Sequence, residues 1–162
     1  MIRNKKKLIL GIICSVVIFA IVIIIIPSNF ILSVITPDIA LKDENFDGID
    51  LKENINKLNV DENKEDSSNP DIHYLSNGIR VITNEKGTIK NISINHYTDR
   101  SVKTIRGISV GDSLDSVKRY YGEDYYTRRE QGVGIIVYVD HNKFLEFWHW
   151  NDEVQEIRFG IN

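Results

Sequence analysis

The 162-residue sequence has a single cysteine, Cys14, and it lies inside an uncharged apolar run. The rest of the chain therefore forms no disulfide bond and offers no thiol nucleophile. Other marks of catalysis are also missing, because there is no H-E-x-x-H pair, no glycine-rich loop followed by Lys-Ser/Thr, and no nucleophile elbow. The four histidines lack the spacing of zinc ligands. We therefore predict that the protein is not an enzyme and has no catalytic or metal-binding residues.

The longest uncharged run extends from Leu8 to Ile26 and stops at Pro27. As a helix it would reach roughly 29 Å, close to the hydrocarbon thickness of a bilayer. A signal peptide would have a shorter apolar core, a lipoprotein would have a small residue before its cysteine, and a buried helix would have a polar side. The run therefore predicts a transmembrane helix in contact with the lipid bilayer.

Basic residues precede this run, and none follows it until Lys42. The positive-inside rule then predicts a cytoplasmic N-terminus and an exported remainder. The expected organisation is a cytoplasmic tail (1–7), a transmembrane helix (8–26), an acidic membrane-proximal linker (27–45) and an extracytoplasmic domain (46–162). The expected localisation is the cell membrane, in a single pass, with the C-terminal domain extracellular.

Acidic residues are in excess beyond the apolar run, where 23 of them stand against 16 basic residues. The excess belongs to residues 37–72, which hold 11 acidic and 4 basic residues. A polyanion is repelled by such a segment, so we expect no nucleic-acid partner.

Two stretches of the chain resemble each other, GIDLKENINKL at residues 48–58 and GISVGDSLDSV at residues 107–117. Both place apolar residues at i, i+4 and i+7, the spacing of one helix face. A second match relates residues 77–94 to residues 142–159, where apolar alternation around short turns is typical of β-hairpins. The segments DIHYL and GIIVYV each supply one further strand.

Each unit thus has the order helix, strand, strand, strand. The predicted fold class is α+β, with an N-terminal transmembrane helix followed by two helix-β-β-β repeats. The repeats, residues 46–96 and 105–162, are expected to share one antiparallel sheet with both helices on one face.

The segment RGISVGDSLDSVKRYYG, together with the order of a helix and an antiparallel meander, resembles the small outer-membrane lipoprotein domains of the SmpA/OmlA type. The tandem arrangement is similar to the beta-lactamase-inhibitory-protein fold, which has two such units. The resemblance covers residues 46–162 and implies a domain that binds other proteins through its open sheet face and loops. It carries no binding residue over to this chain, because only structural glycine and apolar positions match.

The segment DENFDG resembles the first half of a calcium loop, with oxygen-bearing side chains at Asp43, Asn45 and Asp47 before a glycine. The second half departs, because Asn54 stands where the bidentate glutamate belongs. We therefore expect no cofactor, with calcium at these three residues as the alternative.

The segment FLEFWHW, residues 144–150, is the densest aromatic stretch. If a two-residue turn follows it and the next strand pairs without irregularity, Phe147 faces Glu156 and Trp148 joins the core with Ile157. The predicted open face then carries six binding residues: Leu145, Phe147, His149, Val154, Glu156 and Arg158. Exposed apolar patches of this kind mark partner sites. In the alternative, a loop or the acidic linker covers them.

These patterns favour a membrane-anchored extracytoplasmic module, without catalytic activity, that binds a protein or envelope partner through the open sheet face. The alternative is a structural or accessory subunit of a membrane complex that acts through its transmembrane helix.

Overall fold

The computed structural model describes residues 28–61, 64 and 69–161. The chain forms two compact units, Met1–Ile35 and Thr36–Asn162. The described part of the first unit is helix α1, Ser28–Ile35. In the second unit, a 3-10 helix η1, Ile55–Lys57, precedes the sheet, and helix α2, Leu114–Tyr121, separates its third and fourth strands.

The second unit is built on one antiparallel sheet of seven strands in the order β1-β2-β3-β7-β6-β5-β4. The strands are β1 Ile72–Tyr74, β2 Arg80–Thr83, β3 Ile89–Asn95, β4 Tyr126–Glu130, β5 Val133–Asp140, β6 Lys143–Trp150 and β7 Glu153–Ile161. The central pair, β3 and β7, joins the two halves of the chain, since Ile92 lies opposite Phe159 and Ile94 opposite Ile157.

One face of the sheet carries the main core, and we call it the covered face. Residues 36–58, here named the strap, cross this face and bury Leu41, Phe46, Leu51 and Ile55. Helix α2 packs there too, through Leu114, Val117 and Tyr121. Burial of apolar surface at about 25 cal/mol per Å² makes this layer the main source of stability.

Residues at both ends of helix α2 fix its limits. Ser113 caps its N-terminus by accepting a hydrogen bond from the backbone N–H of Ser116. Gly122, with a φ of 91°, ends it and donates its N–H to the carbonyl of Lys118. The spacing of Leu114 and Val117 turns both side chains toward the sheet, as the sequence predicts.

The predicted helix over residues 48–58 is wrong, and with it the fold class of two helix-β-β-β repeats. The backbone of this segment pairs instead with the β2–β3 hairpin: Lys52 donates to Ile89, and Ile55 donates to Gly87. Hydrogen bonds to a neighbouring chain segment exclude the helical ladder, and one 3-10 turn remains. The second half adds β4, so the halves have three and four strands.

None of the helices described in residues 28–61, 64 and 69–161 is long and apolar enough to cross a membrane. The predicted span, residues 8–26, lies outside the described residues. With this finding we withdraw the predicted transmembrane helix, the single-pass topology and the cell-membrane localisation. The predicted linker, residues 27–45, contains α1 and the first part of the strap.

Candidate functional site

Three of the six predicted binding residues lie in the core of the covered face. Leu145, Phe147 and Val154 are fully buried. The ring of Phe147 packs against Tyr121 and Tyr138, with centroids 5.2 and 6.0 Å away. The assignment of these side chains to an open face is therefore reversed.

A β-bulge at Gln155 is the reason for the reversal. The turn at Asn151 and Asp152 has positive φ at both residues, and His149 pairs with Val154 as the sequence predicts. The next pair is Trp148 with Glu156, so Gln155 has no partner in the ladder. One extra residue exchanges the two faces of a strand beyond it, and Phe147 meets Ile157 instead of Glu156.

His149 stays on the side of Leu145 and Phe147, at the end of the sheet. Its ring lies over Gly134, where an added Cβ would come within 2.3 Å of the imidazole Nε2. A side chain at position 134 would therefore displace the histidine. Burial lowers the pKa of His149, and the nearby cations Arg129 and Lys118 add to the effect.

Glu156 and Arg158 face the opposite side of the sheet, and the structure brings them together with residues that the sequence did not single out. Beneath them lies a second apolar cluster, formed by side chains of β4, β5 and β6: Ile135, Val137, Val139, Tyr126, Phe144 and Trp148. We call this surface, with the charged residues Arg128, Glu146, Glu156 and Arg158, the open face.

Trp148 is the centre of the open face. Its indole N–H donates to Glu146 at 2.9 Å, and the guanidinium of Arg158 stacks on its ring at 3.9 Å from the centroid. The guanidinium of Arg128 lies 5.5 Å from the same ring. A cation over an indole contributes about 0.5–1 kcal/mol at an exposed site. The ring is thus held in one orientation by three charged side chains.

The charges of the open face are paired with one another. Arg128 donates to Glu146 at 2.7 Å and also contacts Glu130, and Arg158 donates to Glu156 at 2.7 Å. Burial acts to lower the pKa of Arg128, but the hydrogen bond and the charge of Glu146 outweigh it and leave the pKa raised. The surface therefore presents aromatic and arginine side chains without a strong field of either sign.

A signal for this face exists in the sequence. The run from Ile135 to Val139 is apolar at every position, which indicates a strand buried on both sides. Such a strand requires apolar or long side chains over both faces, and Trp148 and Phe144 supply them on the second. By contrast, no turn or composition signal marks the bulge.

The loop considered for calcium is closed by its own hydrogen bonds. Asn45 accepts the N–H of Gly48 through Oδ1, and Asp47 accepts from the amide of Asn77. Asp47 and Gly48 form a two-residue turn between Phe46 and Ile49. These oxygens serve the turn, and calcium at Asp43, Asn45 and Asp47 remains an untested alternative.

Within the described part of the chain, three potential metal-ligand side chains converge at the end of β5: Asp38, Asp140 and His141. The imidazole Nδ1 lies 2.8 Å from Asp140 and 3.4 Å from Asp38. The hydrogen bond to Asp140 raises the pKa of His141. The backbone N–H of His141 also donates to Asp38, so these three residues connect the strap to the end of β5.

Comparisons with protein-family models, curated proteins and solved structures find no match for this chain. The resemblance to the beta-lactamase-inhibitory-protein and SmpA/OmlA groups therefore stays a prediction.

Proposed function

We propose that this protein is a non-catalytic binding module whose partner is another protein, and that the partner docks on the open face. The observation that carries the proposal is the cluster around Trp148, with Arg158 and Arg128 against its ring. Tryptophan, tyrosine and arginine are the side chains enriched at the energetic centres of protein interfaces. The sequence predicts a partner surface on the side of β6 that carries Leu145 and Phe147. The surface proposed now lies on the opposite side of the same strand.

The chemistry of the open face favours a protein partner with an apolar centre and a mixed polar margin. A polyanion would need unpaired cations, and here Arg128 and Arg158 already bind carboxylates. The apolar cluster of β4, β5 and β6 lies beneath the charged groups, so a partner that displaces them finds aromatic surface. The exposed indole of Trp150 extends the face at the end of β6.

A photo-crosslinking amino acid placed at Trp150 tests the proposal, with the same substitution at Tyr120 as matched control. Both positions are aromatic and about equally exposed, at 56% and 53% of their surface, but Tyr120 belongs to α2 on the covered side. We expect a discrete adduct with a second protein from position 150 in intact cells and none from position 120. Arg158→Ala in the same chain should remove the adduct.

Two results would contradict the proposal. One is an adduct pattern that is the same from both positions. The other is an adduct at position 150 that persists when Trp148 and Arg158 are both replaced by alanine.

A further inference from the structure

A cleft of about 500 Å³ opens at the end of the sheet where β3 stops and β7 starts. Its walls are the loop after β3, the loop before α2 and the first residues of β7. The apolar floor consists of Ile94, Val102 and Val110. Ligand pockets commonly have volumes of about 300–1,000 Å³ and an apolar lining with a few convergent polar groups.

The side-chain hydroxyl of Ser109 is the first indication that this cleft binds a ligand. Its backbone N–H donates to Asp112 at 2.7 Å, but its buried side-chain hydroxyl has no protein partner among the described residues. Buried hydroxyl groups are nearly always hydrogen-bonded, since an unsatisfied one costs about 1–3 kcal/mol. Ser109 is one of the residues that line the cleft, and a change of its χ1 rotamer would turn the hydroxyl, which can both donate and accept, toward a bound molecule.

The bulge at Gln155 is the second observation. The extra residue lies on the wall of the cleft, outside the ladder of β6 and β7. Bulges commonly redirect a side chain next to a functional site. The amide of Gln155 donates to the carbonyl of Glu153 at 3.3 Å, which leaves its own oxygen as an acceptor. Asn95 contributes a second amide, whose oxygen accepts from the backbone N–H of Tyr97.

The charges of the lining define the ligand class. The carboxylates of Asp99 and Glu153 stand against the single guanidinium of Arg100. A hydrogen bond from the backbone N–H of Ser101 lowers the pKa of Asp99, so that carboxylate is charged at neutral pH. Anionic ligands are therefore repelled, while the hydroxyl and the two amides suit uncharged groups.

We propose that the cleft binds a neutral polyhydroxylated molecule, such as one or two sugar units. The C–H face of a sugar ring fits the apolar floor, and its hydroxyls match Ser109, Asn95 and Gln155. This site adjoins the open face, because Asn95 lies opposite Glu156 in the sheet, but its lining does not include the open-face residues, and the proposal does not rest on the protein partner proposed there.

Titrations of the full chain with D-glucose and D-glucuronate, followed by amide NMR, test the proposal. We expect glucose to cause saturable shifts at Asn95, Gly111 and Gln155, and glucuronate to bind more weakly. Ser109→Ala should weaken glucose binding by about 3- to 10-fold, the equivalent of one neutral hydrogen bond. Thr127→Ala, at an exposed position of β4, is the matched control and should bind glucose normally.

Folding and binding are distinguished by the melting temperature. Ser109→Ala removes an unpaired buried hydroxyl, so its melting temperature should be equal to or above that of the wild type. Gln155→Ala, at an exposed position, should weaken glucose binding without unfolding the chain. The proposal is overturned by the absence of saturable shifts, by equal affinity of wild type and Ser109→Ala, or by tighter binding of glucuronate.

Discussion

The apolar side chains on the two faces of the sheet are covered by different parts of the chain. The covered face is closed by other chain segments, the strap and α2, which bury whole side chains such as Phe46 and Phe147. The open face is closed by its own long side chains, with Arg158 and Arg128 lying over Trp148. A layer of chain segments can be displaced only by breaking backbone hydrogen bonds, whereas a layer of side chains can rearrange by changes of rotamer alone.

The buried carboxylates of the two faces show the same difference. Glu44 on the covered side accepts from the hydroxyl of Tyr121 at 2.8 Å and from the backbone N–H of Ile105 at 3.0 Å. Glu146 on the open face accepts from Arg128 and from the indole of Trp148. Neutral donors bind the first carboxylate and a cation binds the second, so the two faces should respond differently to pH and to mutation.

The largest expected effect is that of Phe147→Ala. The side chain is fully buried between Tyr121 and Tyr138, so its loss should lower the free energy of unfolding by about 3–5 kcal/mol. Urea denaturation measures it. Trp150→Ala, in the same strand but exposed, is the control and should change stability by about 0.5 kcal/mol or less. A Phe147 variant as stable as the Trp150 variant would mean that the faces are assigned wrongly.

Trp148→Ala should cost less, although its side chain is larger. The indole is only half-buried, and its contacts are with the apolar cluster, Arg158 and Glu146. We expect a loss of about 1–3 kcal/mol in urea denaturation. Trp148→Phe keeps an aromatic ring under Arg158 but loses the hydrogen bond to Glu146, and should recover part of the loss. If the cost matched that of Phe147→Ala, the open face would be a second core.

The sequence predicts local elements of this molecule where short-range chemistry decides them. Ser113 and Gly122 mark the ends of α2, and the Asn151-Asp152 turn marks the β6–β7 hairpin. In each case the signal and the structure lie within a few residues of each other. A cap or a turn is stabilised by the same backbone atoms that its sequence specifies.

The open face and the strap depend on contacts that are distant along the chain. The bulge at Gln155 is invisible in a strand pattern, and it alone decides whether Phe147 or Trp148 faces the core. Similarly, the apolar spacing of Leu51 and Ile55 suits a helix, but hydrogen bonds with residues 87–89 hold the segment in a turn and an isolated β-bridge before η1. Periodicity predicts that these residues are buried and leaves open which partner buries them.

A pH titration of stability compares the carboxylate of the covered side with its neutral analogue, Glu44→Gln. Burial raises the pKa of Glu44 above its ordinary value of 4.5, against the hydrogen bonds from Tyr121 and Ile105 and the charge of Arg106. The folded chain therefore favours the protonated form of Glu44. The stability that this preference contributes is fully present below about pH 4.5, and it is lost as the pH rises through the pKa of Glu44 in the folded state.

The stability of the Glu44→Gln variant relative to the wild type should therefore rise as the pH is raised from 4 to 7. Urea denaturation at the two pH values measures the change. Tyr121→Phe, which removes a donor that opposes the shift, should steepen the pH dependence of the wild-type carboxylate. A stability difference between Glu44→Gln and wild type that is the same at both pH values would show that Glu44 titrates normally.

The smallest expected effect is that of Arg158→Ala, and it bears most directly on the open face. The guanidinium is half-buried, paired with Glu156 and stacked on Trp148. Such contacts at a partly exposed site contribute about 1 kcal/mol or less, so the urea midpoint should move little. Without Arg158 the indole of Trp148 is no longer covered, and a red shift of tryptophan fluorescence should report its greater contact with water.

Arg158→Lys restores the charge but not the planar stack, and should reproduce the shift. If neither variant changes the fluorescence while both lower stability as Phe147→Ala does, then Arg158 belongs to a fixed layer, and the contrast between the two faces does not hold.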